Sequence, residues 1–142
     1  MNRRTWLTAL SGISGLGLFS LAGVTQTALA KEEEKDEKED ERAEQCEDCE
    51  EACLECINHC MDLLAEGKPV KACLQSCLDC ADICATCRTV SARRGPASAA
   101  MATACAAACD LCAEACEKHK EDKIMAECAK QCRKCSAECR AR

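Results

Sequence analysis

The sequence predicts an all-α protein, an antiparallel up-down-up-down four-helix bundle with a cysteine-lined core. Three observations support this prediction. Four cysteine-rich segments alternate with short breaks that contain glycine, proline or charged residues. Within the segments there is no proline, and the residues other than cysteine are mostly Ala, Glu, Lys, Leu and Arg, which favour helix. The cysteines recur every three or four residues, so those of one segment lie along one face of a helix.

The eighteen cysteines form four sets, one for each predicted helix. Leucine or isoleucine would face the axis of an ordinary bundle, whereas here the inward residue is cysteine. The sets are Cys46, Cys49, Cys53, Cys56, Cys60; Cys73, Cys77, Cys80, Cys84, Cys87; Cys105, Cys109, Cys112, Cys116; and Cys128, Cys132, Cys135, Cys139.

The three breaks mark where one predicted helix ends and the next begins. The first contains a glycine and Pro69, the second is RRGP ending at Pro96, and the third is HKEDK at residues 119–123. Proline is tolerated at the start of a helix because the first amides have no partner inside the helix. Asp122 is predicted to cap the fourth helix. Short loops of this kind favour an up-down-up-down order.

Residues 1–30 have the features of a cleaved export signal. The pair Arg3-Arg4 precedes a weakly apolar stretch over residues 9–24, and the small-x-small sequence ALA ends at Ala30. The arginine pair is typical of the twin-arginine class, which is carried across the membrane already folded. We therefore expect cleavage after Ala30, use of the twin-arginine export machinery, and a location in the periplasm or an equivalent extracytoplasmic space. An uncleaved membrane anchor is the alternative, which glycines and serines in the apolar stretch disfavour.

Removing 30 of 142 residues leaves 112, which contain every cysteine but neither of the aromatic residues, Trp6 and Phe19. Residues 31–44 are predicted to be a solvated charged linker or a frayed helix extension, and residues 45–142 the cysteine-rich four-helix bundle. The formal net charge of −6 becomes −8 without Arg3 and Arg4, which argues against nucleic acid as a partner. We find no glycine-rich phosphate loop and no nucleophile–base pair, so an enzyme is not expected.

Eighteen inward thiols have three competing explanations. Free cysteine behaves as a small hydrophobe and would fill a core, but leucine at the same positions would bury more apolar area. Disulfides suit an exported protein, and such a stapled bundle would serve as an interaction module. However, neighbouring cysteines on one helix face have nearly parallel Cβ directions, which suit a disulfide poorly. Bridges between facing helices stay open as an alternative.

Metal binding is the third explanation. Soft thiolates select Cu(I), zinc and iron–sulfur clusters, but the usual iron–sulfur run C-x2-C-x2-C-x3-C-P is missing. Structural zinc usually takes four ligands from turns, although a metallothionein-like zinc or cadmium buffer remains the alternative. Cu(I) fits best because monovalent ions neutralise buried thiolates, and two sulfurs per ion would allow about nine ions.

The Cys-x2/3-Cys repeats over residues 45–140, behind a twin-arginine signal, resemble the copper storage proteins, the Csp family, in their exported type. The resemblance implies a four-helix bundle that holds many Cu(I) ions in its core and associates as a homotetramer. It also implies storage of copper for delivery to a copper-requiring enzyme or for detoxification. His and Met ligands at an open end of the bundle are a further feature that the resemblance implies.

The predicted up-down order gathers the cysteines at two ends. The first end contains Cys60, Cys73, Cys116 and Cys128, and the second contains Cys46, Cys87, Cys105 and Cys139. His119 and Met125 extend the cysteine faces at the first end and are predicted to be further copper ligands. The alternatives are a solvated loop residue for His119 and a core plug for Met125.

Three other residues are weaker candidates as ligands. His59 and Met61 lie near the first end but off the cysteine face, and Met101 lies on that face at the second end. The second predicted helix also has a second apolar face, which we expect to form the oligomer interface. This face consists of Val70, Leu74, Leu78, Ala81 and Ala85.

Overall fold

A computed structural model describes residues 22–141, with side chains from residue 30. The paired arginines and most of the predicted export signal therefore lie outside the described residues. The backbone is helical on both sides of Ala30, where cleavage is predicted.

The described residues form four α-helices, and no strand occurs among them. The helices are α1 at Ala22–Ala65, α2 at Lys71–Ala92, α3 at Ser98–Cys116 and α4 at Lys123–Arg140, with a 3-10 turn at Glu117–His119 after α3. The predictions of an all-α protein and of four cysteine-bearing helices are confirmed.

The breaks between the helices follow from local backbone chemistry. Gly67 has φ of 79°, a left-handed conformation that favours glycine, and its amide donates to the Leu64 carbonyl at 2.9 Å. This bond closes the last turn of α1. Pro69 and Pro96 each lie two residues before the first residue of the following helix, slightly earlier than predicted.

Asp122 caps α4 as predicted. Its Oδ1 accepts hydrogen bonds from the backbone amides of Ile124 at 3.0 Å and Met125 at 3.1 Å. Its other carboxylate oxygen lies 2.6 Å from His59 Nε2, which ties the start of α4 to α1. Partial burial opposes ionisation of Asp122, but the bonds from His59 and from the Met125 amide hold its pKa below the usual value.

Removing this cap should destabilise the fold measurably. We expect Asp122→Ala to lower the free energy of unfolding by about 1 kcal/mol or more, because α4 loses its cap and α1 loses a contact. Chemical denaturation under reducing conditions would measure the change. The neighbouring exposed residue gives a control, Glu121→Ala, which should change little; equal stability of the two variants would contradict this role.

The helices meet through their cysteines in opposite chain order. This is the order expected of antiparallel neighbours, and it supports the predicted up-down-up-down connection. The contacts between sulfur atoms are Cys46–Cys139 and Cys53–Cys128 at 4.0 Å for α1 with α4, and Cys73–Cys116 at 3.3 Å and Cys84–Cys105 at 3.7 Å for α2 with α3.

The second apolar face of α2 is mostly used within the chain. Val70 and Ala81 are buried, Leu74 is partly buried against the core, and only Leu78 is well exposed, at 46%. Arg88 lies on the same side of α2 as this face, directly after Cys87, as Leu78 lies directly after Cys77. Its guanidinium pairs with carboxylates of α1, those of Glu47 and Glu50. This face therefore turns toward α1, and the exposed apolar surface that the prediction assumed is limited to Leu78. The oligomer interface itself stays a prediction.

The charged run before the first cysteine is helical and only partly solvated. Residues 31–37 are exposed, but Glu39 and Arg42 are buried, with Nη1 of Arg42 2.8 Å from a Glu39 carboxylate oxygen. The Ser98 hydroxyl also donates to Glu39, and Arg42 Nη2 donates to the Ala141 carbonyl at 3.4 Å. The end of this segment is thus packed against α3 and α4, which the expectation of a solvated linker did not include.

Within the described residues, one helical stretch, Ser98–His119, is long and apolar enough to cross a membrane, with a mean hydropathy of 1.3. Its cysteines lie in the core between α2 and α4. A buried core helix rich in alanine and cysteine meets the same criterion, so the stretch is explained by its place in the bundle.

Candidate metal centre

All eighteen cysteines are free thiols in the core of the bundle. Seventeen of them are 0–1% exposed, and Cys139 is 6% exposed. Their three- and four-residue spacing places one row of sulfurs on the inner face of each helix. The result is a sulfur-lined tube along the axis, with no aromatic side chain among residues 22–141.

Sulfurs from different helices lie within ligand-sharing distance throughout the tube. Cys132 of α4 shows this most clearly, because its Sγ is 3.8 Å from Cys49, 3.8 Å from Cys53 and 4.0 Å from Cys80. Three helices thus meet at one thiol. An ion bound there would link segments that are far apart in sequence.

The sulfurs group into sets of four whose Sγ atoms lie within 4.8 Å of one another. Adjacent sets share members, since Cys49 and Cys80 belong to two sets and so do Cys53 and Cys132. Five of these sets are Cys46, Cys105, Cys135, Cys139; Cys49, Cys80, Cys84, Cys109; Cys49, Cys53, Cys80, Cys132; Cys53, Cys112, Cys128, Cys132; and Cys56, Cys73, Cys77, Cys116.

Shared sulfurs determine what the tube can hold. A closed four-sulfur site uses all its ligands for one ion, whereas a sulfur common to two sets can bridge two ions. The arrangement therefore suits a continuous series of ions that need only two or three sulfurs each better than a row of independent tetrahedral sites.

Two cysteines at opposite ends of the tube, Cys60 and Cys139, differ in thiol ionisation. Burial and the neighbouring Cys73 raise the pKa of Cys60 to about 12. At the opposite end, hydrogen bonding to Cys105 and Cys135 lowers the pKa of Cys139 to about 5. Because the thiolate is the metal ligand, Cys139 is ready to bind near neutral pH, whereas Cys60 must first release a proton.

Cysteines with lowered pKa values and cysteines with raised pKa values contact one another within the tube. Hydrogen bonding to Cys112 holds the pKa of Cys128 well below the ordinary thiol value, whereas it raises the pKa of Cys132. A mixture of thiolates and thiols limits the repulsion between buried charges. Each monovalent ion that enters would neutralise one thiolate, so filling need not build up charge.

The structure places the cysteines at the two predicted ends. Cys73 and Cys116 are in contact at the first end, and Cys46 contacts Cys105 at 3.8 Å at the second. Cys60 is buried, as is Cys87.

The predicted additional ligands differ in their surroundings. Met125 is completely buried in the core, and His119 lies half-buried in the 3-10 turn. His59 is held by Asp122, and Met61 is 56% exposed on the outside. Met101 is partly buried against the core at the second end. Of the five, only Met125 is fully enclosed with the cysteines.

Sequence reasoning missed the buried polar group that covers the second end. Glu39 and Arg42 form its ion pair, and Ser91 and Ser98 lie beside them with their hydroxyl oxygens 3.5 Å apart. The available signal was the register of Arg42, which lies four residues before Cys46 and so continues the inner face of α1.

An all-helical bundle with eighteen enclosed, unbridged thiols belongs to the class of cysteine-rich proteins whose core offers soft-metal ligands. The sequence profile described as copper storage protein (Csp) matches residues 34–142. This chain belongs to the copper storage protein family, a family of storage proteins rather than enzymes. Comparison with curated proteins and with solved structures finds no match.

Proposed function

We propose that this protein stores copper by binding many Cu(I) ions to the thiolates of its core. The observation that carries the proposal is the run of three four-sulfur sets joined by shared members, with a further set toward each end of the tube, in a chain of the copper storage family. Each ion takes two or three sulfurs from neighbouring positions, and a shared sulfur bridges to the next ion. Two sulfurs per ion give about nine ions, and bridging raises that number.

The chemistry of filling requires only ligand exchange. A thiol loses its proton as its sulfur binds Cu(I), and the oxidation state of the metal does not change. Each bound ion replaces one buried proton or neutralises one buried thiolate. The core therefore remains close to neutral where sulfurs bridge neighbouring ions, so that the number of ions approaches the number of thiolates. Release is the reverse exchange, toward a ligand that holds Cu(I) more tightly at that moment.

His119 and Met125 are proposed to extend the ligand set at the first end. His119 is half-buried in the 3-10 turn, and Met125 is buried one helical turn before Cys128. An imidazole near solvent and a thioether inside would give an ion intermediate positions before it reaches the thiolates.

The N-terminal sequence and the enclosed thiols support a proposal for where the protein functions. We propose export by the twin-arginine route to the periplasm or an equivalent space, after folding in a reducing compartment encloses the cysteines. A copper-requiring enzyme is the proposed recipient of the metal. The homotetramer remains a proposal, with the exposed apolar side chains Leu54, Met61 and Leu78 as its candidate contacts.

One observation favours a second function, zinc or cadmium buffering. Each set of four sulfurs within 4.8 Å has the ligand number and type of a tetrahedral zinc site. Eighteen thiols in closed sets of four allow only four such sites, and sharing of sulfurs between adjacent sets works against their simultaneous filling.

Anaerobic titration of the reduced protein with Cu(I) tests the proposal. We expect near-ultraviolet copper–thiolate absorption to grow until about nine or more equivalents are bound. Titration with Zn(II) and a count of reactive thiols in the native protein complete the test. Copper saturation at one or two equivalents would contradict storage, tight saturation near four zinc equivalents would favour the zinc buffer, and a lack of reactive thiols would favour disulfides.

A further inference from the structure

The basic residues of the charged run lie in line with the cysteines of α1. Lys31, Lys35, Lys38 and Arg42 follow one another at spacings of four, three and four, and Cys46 comes four residues later. Nine acidic residues and Ala43 occupy the other positions of 31–44, and of the acidic residues Glu39, seven residues before Cys46, lies on the same side as the basic row. A segment that is acidic overall thus presents its positive charges on the side that continues the sulfur tube.

This basic row opens onto a cavity at the second end of the bundle. The cavity has a volume of about 730 Å³ and lies between the α1 extension, the first turns of α3 and the end of α4. Pockets that enclose small molecules have volumes of roughly 300 to 1,000 Å³. The charged residues that line it are Lys35, Lys38, Arg42, Arg140 and Glu39.

A core sulfur also lines this cavity. Cys139 is the most exposed of the eighteen cysteines, and its Sγ is 4.0 Å from that of Cys46. Cys46 belongs with Cys139, Cys105 and Cys135 to one four-sulfur set. An ion accepted by Cys139 would therefore be one contact away from the rest of the tube.

The charges around the cavity favour an anion over a free cation. Arg42 pairs with Glu39 inside the wall, and the Lys38–Glu34 pair is solvent-exposed, at 2.9 Å. Exposed pairs contribute little energy and exchange readily with other partners. Arg140 pairs with Asp110 of α3, so the four basic side chains are matched by three carboxylates, those of Glu39, Glu34 and Asp110. The remaining positive charge would repel hydrated Cu(I) and attract a negatively charged complex of it.

We propose that this cavity binds a small anionic chelate of Cu(I) and transfers its ion to Cys139, as a second entrance to the tube. The proposal rests on the copper-storage function. In the transfer step a Cu–S bond forms at Cys139 as a bond from copper to the carrier breaks. The thiol proton, where present, passes to the released donor or to buffer. Copper stays monovalent, so the step needs no oxidant or reductant.

The test compares two coloured Cu(I) complexes of opposite charge, the anionic bicinchoninate and the cationic neocuproine. Stopped-flow loss of colour measures transfer to the reduced protein. We expect the double variant Lys35→Gln/Lys38→Gln to accept copper from bicinchoninate about tenfold more slowly, with no slowing from neocuproine. High salt should remove most of the difference from the unsubstituted protein, because it screens the exposed charges.

Two further variants serve as controls. Lys68→Gln/Lys71→Gln makes the same charge change at exposed positions near the other end and should leave both rates unchanged. Lys35→Arg/Lys38→Arg should keep the rapid transfer from bicinchoninate.

Two outcomes would overturn the proposal. Equal slowing with both complexes would show that the basic row only balances thiolate charge, and no slowing with either would show that the cavity is not used. If the unsubstituted protein took copper from neither complex, nor from Cu(I) in the direct titration, the storage function itself would fail instead.

Discussion

Loading with Cu(I) is expected to raise the free energy of unfolding by about 8 kcal/mol or more. A ligand that binds only the folded state at a thousand times its Kd stabilises that state by about 4.1 kcal/mol, so two such ions suffice. The effect should be large here because the sulfurs of one set come from different helices, as at Cys132 with Cys49, Cys53 and Cys80. Residual affinity of the unfolded thiols for copper reduces the gain.

Anaerobic chemical denaturation of the copper-free and loaded protein measures this gain. Stripping the loaded sample with a strong Cu(I) chelator should return the midpoint to that of the copper-free protein, which controls for irreversible change. Identical midpoints before and after loading would mean that copper binds outside the core or to the unfolded chain equally well.

Met125 is expected to be the most sensitive single apolar position. It is completely buried, so Met125→Ala leaves a cavity and should cost about 2 to 5 kcal/mol of folding free energy. Met125→Leu preserves the volume and should cost less than about 1.5 kcal/mol. The exposed Met61 supplies a control, because Met61→Ala should change stability by no more than about 0.5 kcal/mol.

The leucine variant also separates packing from copper binding. Leucine fills the same space in the core but has no thioether sulfur. We therefore expect the variant to fold normally and to bind Cu(I) more weakly at the first end. Competition with a chromophoric chelator would measure that affinity. A leucine variant with the affinity of the unsubstituted protein would assign Met125 to packing alone.

The sequence was sufficient to predict the helices and the direction of the sulfurs. In a helix, residues spaced three and four apart lie on one face, so the cysteines of each segment share a face. Asp122 precedes α4 at the position where its carboxylate can accept bonds from the first free amides. These are local properties of one helix. They do not depend on how the helices pack.

The features that sequence reasoning missed depend on contacts between helices. Composition alone predicted residues 31–44 to be a solvated linker or a frayed helix extension, yet Glu39 and Arg42 are buried and bonded to Ser98 and to the Ala141 carbonyl. Periodicity found the second apolar face of α2 but did not show that Val70 and Ala81 are buried within the chain. The sharing of sulfurs between sets likewise depends on the axial offset of the helices, which the loops and packing determine.

Anomalous diffraction at the copper edge, from crystals of the fully loaded protein, tests most directly whether the inward thiols hold the metal. The predicted result is a row of copper peaks along the bundle axis, each at bonding distance from two or three cysteine sulfurs. Copper confined to surface carboxylates and histidines, or sulfurs joined in disulfides with no metal between them, would contradict the account.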